Sequence, residues 1–488
     1  MNTIDSLNSI QASLPYLNSE WVLVATFFVA LVLDVFFSKK EWIASISFLG
    51  MLISFFLLFE QYTLFTNTTS INLFSGFYQI SKDILQFKII LNIATIAVFI
   101  PFVLKAVKPK SREFFYLIPV LLFSANVLCM SNHMLSIFLG IEFLSLLSYL
   151  FIAFEIKSKH TAESSTKYIL YGAFASAVML YGITWLYGLT GTLQLDSNFL
   201  SSLSKVSPAY VAMSLLLFTS GYLFKTSAVP FHFYSPDVYE GTSPSTLAII
   251  STIPKIAGFA ILYSFIKHFH FNWEGTMLIW PNFSWEKMIA IISIASMFVG
   301  NLSALAQHNL KRIFAFSSIS HTGFMLLGLI VFSDAGLNAL WYYLLVYSIS
   351  NIAIFFLLEY WEVHYKITQV SELVGIGKKS PWSSSMMIVL LASFTGLPPL
   401  AGFVAKFFVF GSIFQQFQLS QSPWLLFALI AGVVNTVIAL FYYFNIARYL
   451  FLKKSTVSAS EEVYSLLLPF ISILTLLLII LGLFPGIL

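Results

Sequence analysis

The sequence predicts an all-α integral membrane protein, and three observations carry that prediction. Of its 488 residues, 58% are apolar and 9% charged, where a soluble globular chain carries about 25% charged residues. The mean hydropathy is +0.87. Apolar stretches long enough to cross a bilayer, about 20 residues each, recur along the whole chain. Too little charge is present to cover the surfaces of several soluble domains. The lone Cys129 excludes a disulfide framework and a cysteine-based metal site. The net charge of +4 comes from short basic clusters between apolar runs, which is topological information, and no nucleic-acid partner is expected.

About fourteen spans follow in order. The first three are Trp21 to Phe37, Trp42 to Phe59 and Ile84 to Leu104. Spans 4 to 8 are Phe114 to Met130, Met134 to Phe154, Thr166 to Leu189, Tyr210 to Val229 and Ser245 to Phe265. Spans 9 to 13 are Lys287 to Leu305, Ile313 to Phe332, Leu337 to Leu358, Ser385 to Ile413 and Trp424 to Phe451, and the last is Val463 to Phe484. The chain is expected to form one polytopic membrane domain with four parts. These are residues 1–109, a first five-helix unit over 110–268, a second over 285–452, and a last helix over 463–488.

Cytoplasmic loops are enriched in Lys and Arg. With Lys88, Lys287 and Arg448, close to span ends, counted with the adjacent connection, connections after odd-numbered spans hold 16 of these residues, those after even-numbered spans together with the termini hold 5, and 4 lie inside spans. Both termini are therefore expected on the non-cytoplasmic side. Residues 1–38 contain Asp5, Glu20 and Asp34 but no Lys or Arg. A secretory signal needs a basic segment before its apolar stretch, so no cleavable targeting segment is expected.

A charge at mid-bilayer costs roughly 2.5–3.5 kcal/mol on insertion scales and usually marks an ion or proton pathway. Glu142 lies well inside span 5, with Ser145 and Tyr149 at i+3 and i+7 making a polar stripe. Its plain alternative is a hydrogen-bonded acid that joins helices. Lys225 lies in span 7, followed by Pro230, His232, Pro236, Asp237 and Glu240, and Lys255 follows Pro254 in span 8. A discontinuous span 7 explains the long apolar-aromatic stretch between them, since unpaired backbone is tolerated beside a wet cavity or buried in protein. Lys406 follows Phe394-Thr395-Gly396-Leu397-Pro398-Pro399-Leu400-Ala401-Gly402, a run that cannot continue a helix undisturbed.

Spans 7 and 12 thus each combine an interruption with a lysine, in two five-helix units, spans 4–8 and 9–13. An odd number of spans per unit makes the two repeats inverted, as in many transporters. Lys167 stands four residues after Glu163, where a surface ion pair also fits. His321, in Ser317-Ser318-Ile319-Ser320-His321, and His232 are each either a proton relay or a structural histidine. Lys311-Arg312 has an ordinary explanation as a topology signal.

A lysine ordinarily keeps its proton to about pH 10.4, so exchange near neutrality requires disfavouring the ammonium by roughly 4 kcal/mol. Desolvation and neighbouring cations do this, and a nearby carboxylate opposes it. Moving Glu142 toward or away from Lys225 would therefore switch its proton affinity. No glycine-rich nucleotide fingerprint, cysteine cluster or intramembrane histidine pair at metal-ligand spacing is present. Redox chemistry therefore has nowhere to sit in this chain.

Phe224-Lys225-Thr226-Ser227-Ala228-Val229-Pro230-Phe231-His232, continuing through Pro236-Asp237-Val238-Tyr239-Glu240-Gly241, closely resembles a signature of the antiporter-like membrane subunits of NADH:quinone oxidoreductase. So do Gly300-Asn301-Leu302 with Lys311-Arg312, Ser317 to His321, and Gly396-Leu397-Pro398-Pro399 with Lys406. Within that family, the form Pro236 to Gly241, a lysine at 406 and an end after span 14 are similar to its N-type members. The resemblance covers about residues 110 to 450. It implies Glu142, Lys167 and Lys225 as an input half-channel, Lys255 as a central relay and Lys406 on the exit side.

The resemblance also implies a subunit of a translocating enzyme in a bacterial inner membrane. Its partners would be other membrane subunits and, through them, a peripheral NADH-oxidising arm. FMN, iron–sulfur clusters and quinone would belong to those partners and no cofactor to this chain. A subunit of a multi-subunit cation/proton antiporter resembles the same pattern, and a structural subunit without a proton path is the third alternative. Spans 1–3 carry no motif.

Overall fold

The computed structural model describes residues 9–36, 40–65, 70–107, 111–155, 159–270, 283–453 and 463–487. Lys39, Lys108, Lys110, Lys157 and Lys454, five of the basic residues that orient the sequence, lie outside the described residues. Six long helices open the chain: α1 (Asn18–Phe36), α2 (Lys40–Leu64), α3 (Lys82–Val103), α4 (Glu113–Met130), α5 (Met134–Ala153) and α6 (Lys159–Thr190). They correspond to spans 1 to 6.

Span 7 is broken into α7 (Pro208–Thr226) and α8 (Ser235–Gly241), and span 8 into α9 (Pro244–Ile250) and α10 (Ile253–His270). Then come α11 (Trp285–Leu305), α12 (Leu310–Ile330) and α13 (Asp334–Tyr365). Span 12 divides into α14 (Pro381–Thr395) and α15 (Ala401–Ser420), followed by α16 (Pro423–Ala447) and α17 (Leu467–Leu483). Among the described residues, 11 helices are long and apolar enough to cross a membrane, with α14 and α17 as shorter apolar helices.

Two elements lie outside the expected spans, and the first of them is not helical. Between α2 and α3 the chain forms an antiparallel hairpin, β1 (Ser70–Leu73) and β2 (Tyr78–Ser81), with Leu73 opposite Tyr78. A connection of this length between two helix ends closes most simply by pairing with itself, and Gly76, at φ +92°, supplies the left-handed residue its tip requires. Between α6 and α7 the eight-residue helix Ser197–Ser204 is capped by the Asp196 carboxylate, which accepts the Phe199 N–H at 2.9 Å.

Burial separates the centre from the periphery. The apolar windows of α12 and α13 are 94% and 89% buried, against 28% for the first span and 33% for that of α16. A helix covered on every side is the core of the bundle. α12 packs along α11, touches α8 and α15, and lies beside α13, so it lies against the interrupted spans 7 and 12. The exposed edge of α16 carries Phe427, Ile430, Val437, Phe441 and Phe444, an apolar surface suited to a bilayer.

Candidate functional site

α7 ends one residue after Lys225, where Ser227 takes a left-handed conformation at φ +58° and the Ala228 N–H returns to Leu223 O at 2.8 Å. Several of the backbone groups freed by the break find partners. Tyr234 OH donates to Phe224 O at 2.9 Å, Thr322 Oγ1 donates to Thr226 O at 2.7 Å, and Val229 N–H donates to Ser296 Oγ at 3.1 Å. This matching lets an interrupted helix sit in a low-dielectric interior.

Lys225 is 4% exposed, and among the described residues no group accepts from its Nζ. Its ammonium is bounded by aromatic faces, 6.0 Å from the Tyr149 ring centroid and 5.6 Å from that of Phe224. Tyr168 and Tyr234 complete the cage, stacked at 5.1 Å. Glu142 lies within electrostatic reach of Lys225, and its Oε1 likewise has no hydrogen-bond partner among the described residues. Carboxylate and ammonium therefore face a common space without forming an ion pair.

Lys255, near the start of α10, has the opposite environment. Its Nζ donates to Ser318 O at 2.9 Å, Ser318 Oγ at 2.6 Å and Thr322 Oγ1 at 2.9 Å, with Tyr347 OH at 3.5 Å. Three donors are all an ammonium has, so this site holds the cation fully. Thr322 bonds both Lys255 and the carbonyl next to Lys225, which couples the end of α7 to the central lysine.

His321 lies one residue before Thr322 on α12. Its Nδ1 is 2.9 Å from Tyr343 OH and its Nε2 is 3.3 Å from Tyr443 OH, which in turn bonds Ser317 Oγ. The imidazole packs on the Phe394 ring at 4.5 Å. Lys406 closes the row, with its Nζ donating to Phe394 O at 3.0 Å and Thr395 O at 2.9 Å. These are the carbonyls freed where α14 stops, and Gly396, at φ +89°, makes that stop without strain. In span 12 the lysine itself satisfies the broken helix, whereas in span 7 hydroxyl groups do so and leave Lys225 unengaged.

Lys167 is not brought to Lys225. It is 37% exposed and pairs with Glu163 at 2.6 Å and Asp237 at 2.7 Å. Asp237 also binds Arg312 at 2.8 Å, and Arg312 binds Glu240 at 2.8 Å. Lys167 therefore belongs to a five-membered charge network at one end of α6, α8 and α12. Lys311 is also engaged, donating to Thr242 O at 3.1 Å. His232 is buried beside the break, and among the described residues its Nδ1 has no hydrogen-bond partner. It joins none of the hydrogen bonds made by Lys255, His321 and Lys406.

The sequence analysis missed Thr322, Tyr343, Tyr347 and Tyr443. The available signal was a polar run continuing to Thr322 and a Tyr343/Tyr347 pair one turn apart in an apolar helix. Lys88 is corrected: counted there with a connection, it is the seventh residue of α3 and fully buried, 2.8 Å from Glu20. Pairing with a carboxylate 68 positions earlier is what permits that burial.

A family model described as "NADH:quinone oxidoreductase/Mrp antiporter, TM" matches residues 131–439. A protein named NADH-quinone oxidoreductase subunit N 2 from Sorangium cellulosum is 33% identical over 460 residues, 91% of this chain and 89% of that one. NADH-quinone oxidoreductase subunit N from Flavobacterium psychrophilum is 35% identical over 374 residues, 76% of this chain and 78% of its own. A chain of respiratory complex I from Thermus thermophilus superposes with a TM-score of 0.77 at 25% identity, covering 96% of this chain and 97% of that one. A chain of the Mrp complex from Dietzia matches at a TM-score of 0.80 and 19% identity, covering 96% and 94%, which is a likeness of fold.

Proposed function

We propose that this chain, which belongs to the family of membrane subunits shared by NADH:quinone oxidoreductases and Mrp antiporters, is a proton-translocating membrane subunit of a respiratory NADH:quinone oxidoreductase. The relatives named subunit N, matched over most of both chains, favour the oxidoreductase. Partner subunits then carry NADH oxidation, flavin, iron–sulfur and quinone chemistry, and this chain contributes the proton path. It is a multi-pass protein of a bacterial inner membrane, with both termini on the non-cytoplasmic side. Its bundle comprises two inverted five-helix units, 110–268 and 285–452.

Protons enter past the Lys167 network, exchange at Glu142 and Lys225, continue by way of Lys255, and leave by His321 and Lys406, with Thr322 tying the end of α7 to Lys255. His232 borders the first break. The observation that carries the proposal is the contrast between the lysines: a buried ammonium at Lys225 without an acceptor among the described residues, a fully bonded one at Lys255 and one bonded to two carbonyls at Lys406. A charge buried without partners is costly, and the hydrogen bonds that offset this cost at Lys255 are missing at Lys225. Approach of the Glu142 carboxylate would supply the Lys225 ammonium with a partner.

In the assembled complex, Lys225→Ala should lower the proton-to-electron ratio in inverted membrane vesicles while NADH oxidation continues. An unchanged ratio refutes the pathway. The family model also describes Mrp antiporters, which supports a cation/proton antiporter subunit as the second reading. Mild-detergent purification of the tagged chain separates the two. A large flavin-containing particle that oxidises NADH supports the first, and a flavin-free assembly with sodium-dependent transport the second.

A further inference from the structure

Glu20 and Lys88 lie apart from the lysine row, in a part of the chain that the family model does not match. Glu20 stands in the first turn of α1, and Lys88 lies about 9 Å along α3 from its start at 1.5 Å per residue. Their Oε1 and Nζ atoms are 2.8 Å apart, and the side chains are 2% and 0% exposed. Ser19 Oγ donates to the second carboxylate oxygen at 2.8 Å, and Met130 Sδ lies 3.6 Å from Nζ. Asn92 and Asn126 extend the polar lining, Nδ2 to Oδ1 at 3.4 Å.

Burying two charges costs several kcal/mol per ion, and apolar residues of similar volume often replace such a pair without loss of stability. Leu23, Leu85 and Leu91 already join α1 and α3 to the common core. Holding helices together therefore leaves the pair unexplained. Two openings lead to it. A cleft of about 500 Å³ is lined by Tyr16, Asn18, Ser19, Glu60 and Gln61, and an apolar one of about 280 Å³ reaches Glu20, Tyr78 and Met130.

Among the described residues, the titratable groups around the pair are few. Glu60 of α2 and Tyr16 line the first cleft and Tyr78 of β2 the second. Cys129 of α4 lies within electrostatic reach of both charges. Lys82 sits over the Tyr62 ring at 5.4 Å.

We infer that Glu20 and Lys88 form a second proton-exchanging site, separate from the lysine row and supplied from the surface cleft through the Ser19 hydroxyl. In the paired state the site has no net charge. A proton from cleft water binds Ser19 Oγ as Ser19 passes its own proton to the Glu20 carboxylate. The hydroxyl is thereby regenerated, the carboxylate becomes a carboxylic acid, and the site gains one positive charge. The reverse transfers return the proton to the cleft. Its contribution to pumping rests on the function proposed above, but its proton exchange does not.

The test uses the intact complex in membranes and the apolar reagent dicyclohexylcarbodiimide, which reacts with protonated carboxyl groups, with mass spectrometry locating the adduct. Labelling at Glu20 should rise about tenfold for each unit that the pH falls above the site's midpoint. It should be slowed several-fold in Ser19→Ala and be absent at this position in Glu20→Gln. No labelling of Glu20 between about pH 5 and pH 9, with the apolar cleft giving the reagent access, overturns the inference.

A second measurement uses the Glu20→Gln/Lys88→Met double variant, which removes both charges together. A lower proton-to-electron ratio with NADH oxidation retained supports the site. An unchanged ratio and pH profile, alongside a loss in Lys225→Ala, overturns its part in pumping and leaves the main pathway standing. Where the double variant fails to assemble, labelling of the parent and of Ser19→Ala decides.

Discussion

Replacing Thr322 by valine tests the coupling between the two breaks most directly, because the change keeps the side-chain volume and removes one hydroxyl. That hydroxyl accepts from Lys255 Nζ at 2.9 Å and donates to Thr226 O at 2.7 Å. A hydrogen bond to a charged group contributes about 1.5–3 kcal/mol, and a neutral one about 0.5–1.5 kcal/mol. Tyr347 OH, at 3.5 Å, is too far to replace the lost acceptor fully. The balance at Lys255 between ammonium and amine should therefore move about 10- to 100-fold toward the amine. Proton pumping by Thr322→Val in inverted vesicles should fall off at a pH about one to two units lower than in the parent. NADH oxidation in uncoupled membranes should be retained, and Thr322→Ser should restore the parent profile. A Thr322→Val profile superimposed on that of the parent would refute the argument that Thr322 links Lys225 to Lys255.

Other expectations follow from the same geometry. In Gly402→Ala the new Cβ would stand 1.8 Å from Ser393 O, so α14 and α15 must separate. Overpacking of this kind costs typically 1–3 kcal/mol, and less assembled complex should appear on native gels, with the remainder pumping poorly. Lys167→Ala removes a partly exposed member of an ion-pair network, where a surface pair contributes about 0–1 kcal/mol. Its loss of proton-to-electron ratio should be smaller than that of Lys225→Ala, and an equal loss would place Lys167 at the exchange step itself.

Outside the membrane-spanning segments, the backbone N–H groups of Thr368 and Gln369 hold the Glu372 carboxyl below its ordinary range. A depressed carboxyl adds stability above its unfolded titration point and loses it as pH falls through the folded one. Amide exchange at Thr368 and Gln369, monitored by mass spectrometry, should therefore accelerate in acid beyond its intrinsic pH dependence. Glu372→Gln should show no such additional step.

Much of this architecture was legible because a bilayer restricts the possibilities. A run such as Met134 to Phe154 has one stable form in an apolar solvent, an α-helix with every backbone bond internal. The interruptions were legible for the opposite reason: Pro398-Pro399 beside Gly396 forbids what the surrounding apolar residues demand. Lys225, Lys255 and Lys406 stood out because their burial is costly. The structure buries all three within 5% exposure or less. What remained hidden depends on partners distant in sequence. Nothing near Lys88 announces Glu20, 68 positions away, so a lysine near a span end read as an interfacial residue. Lys167 was recognised with Glu163, its neighbour four residues earlier, but its bond to Asp237 is made only by the fold. Thr322 is ordinary in an α-helix, where its hydroxyl commonly bonds a carbonyl one turn back. Its value comes from two helix breaks meeting at that height.

The two interruptions solve one backbone problem in different ways, and the difference assigns their work. At the end of α14 the freed carbonyls are bonded by Lys406, so moving that ammonium would expose Phe394 O and Thr395 O together. Each buried group left unsatisfied costs about 1–3 kcal/mol, and this ties the charge on Lys406 to the conformation of the break. At the end of α7 the carbonyls belong to Tyr234 and Thr322, so Lys225 can change charge without unfastening its helix. On the pathway proposed above, a proton at Lys225 would therefore move at the cost of electrostatics alone, whereas a proton at Lys406 would move with the backbone. In such a relay the second site would be where conformational work and proton movement are coupled, and the first where protons are loaded with little structural resistance.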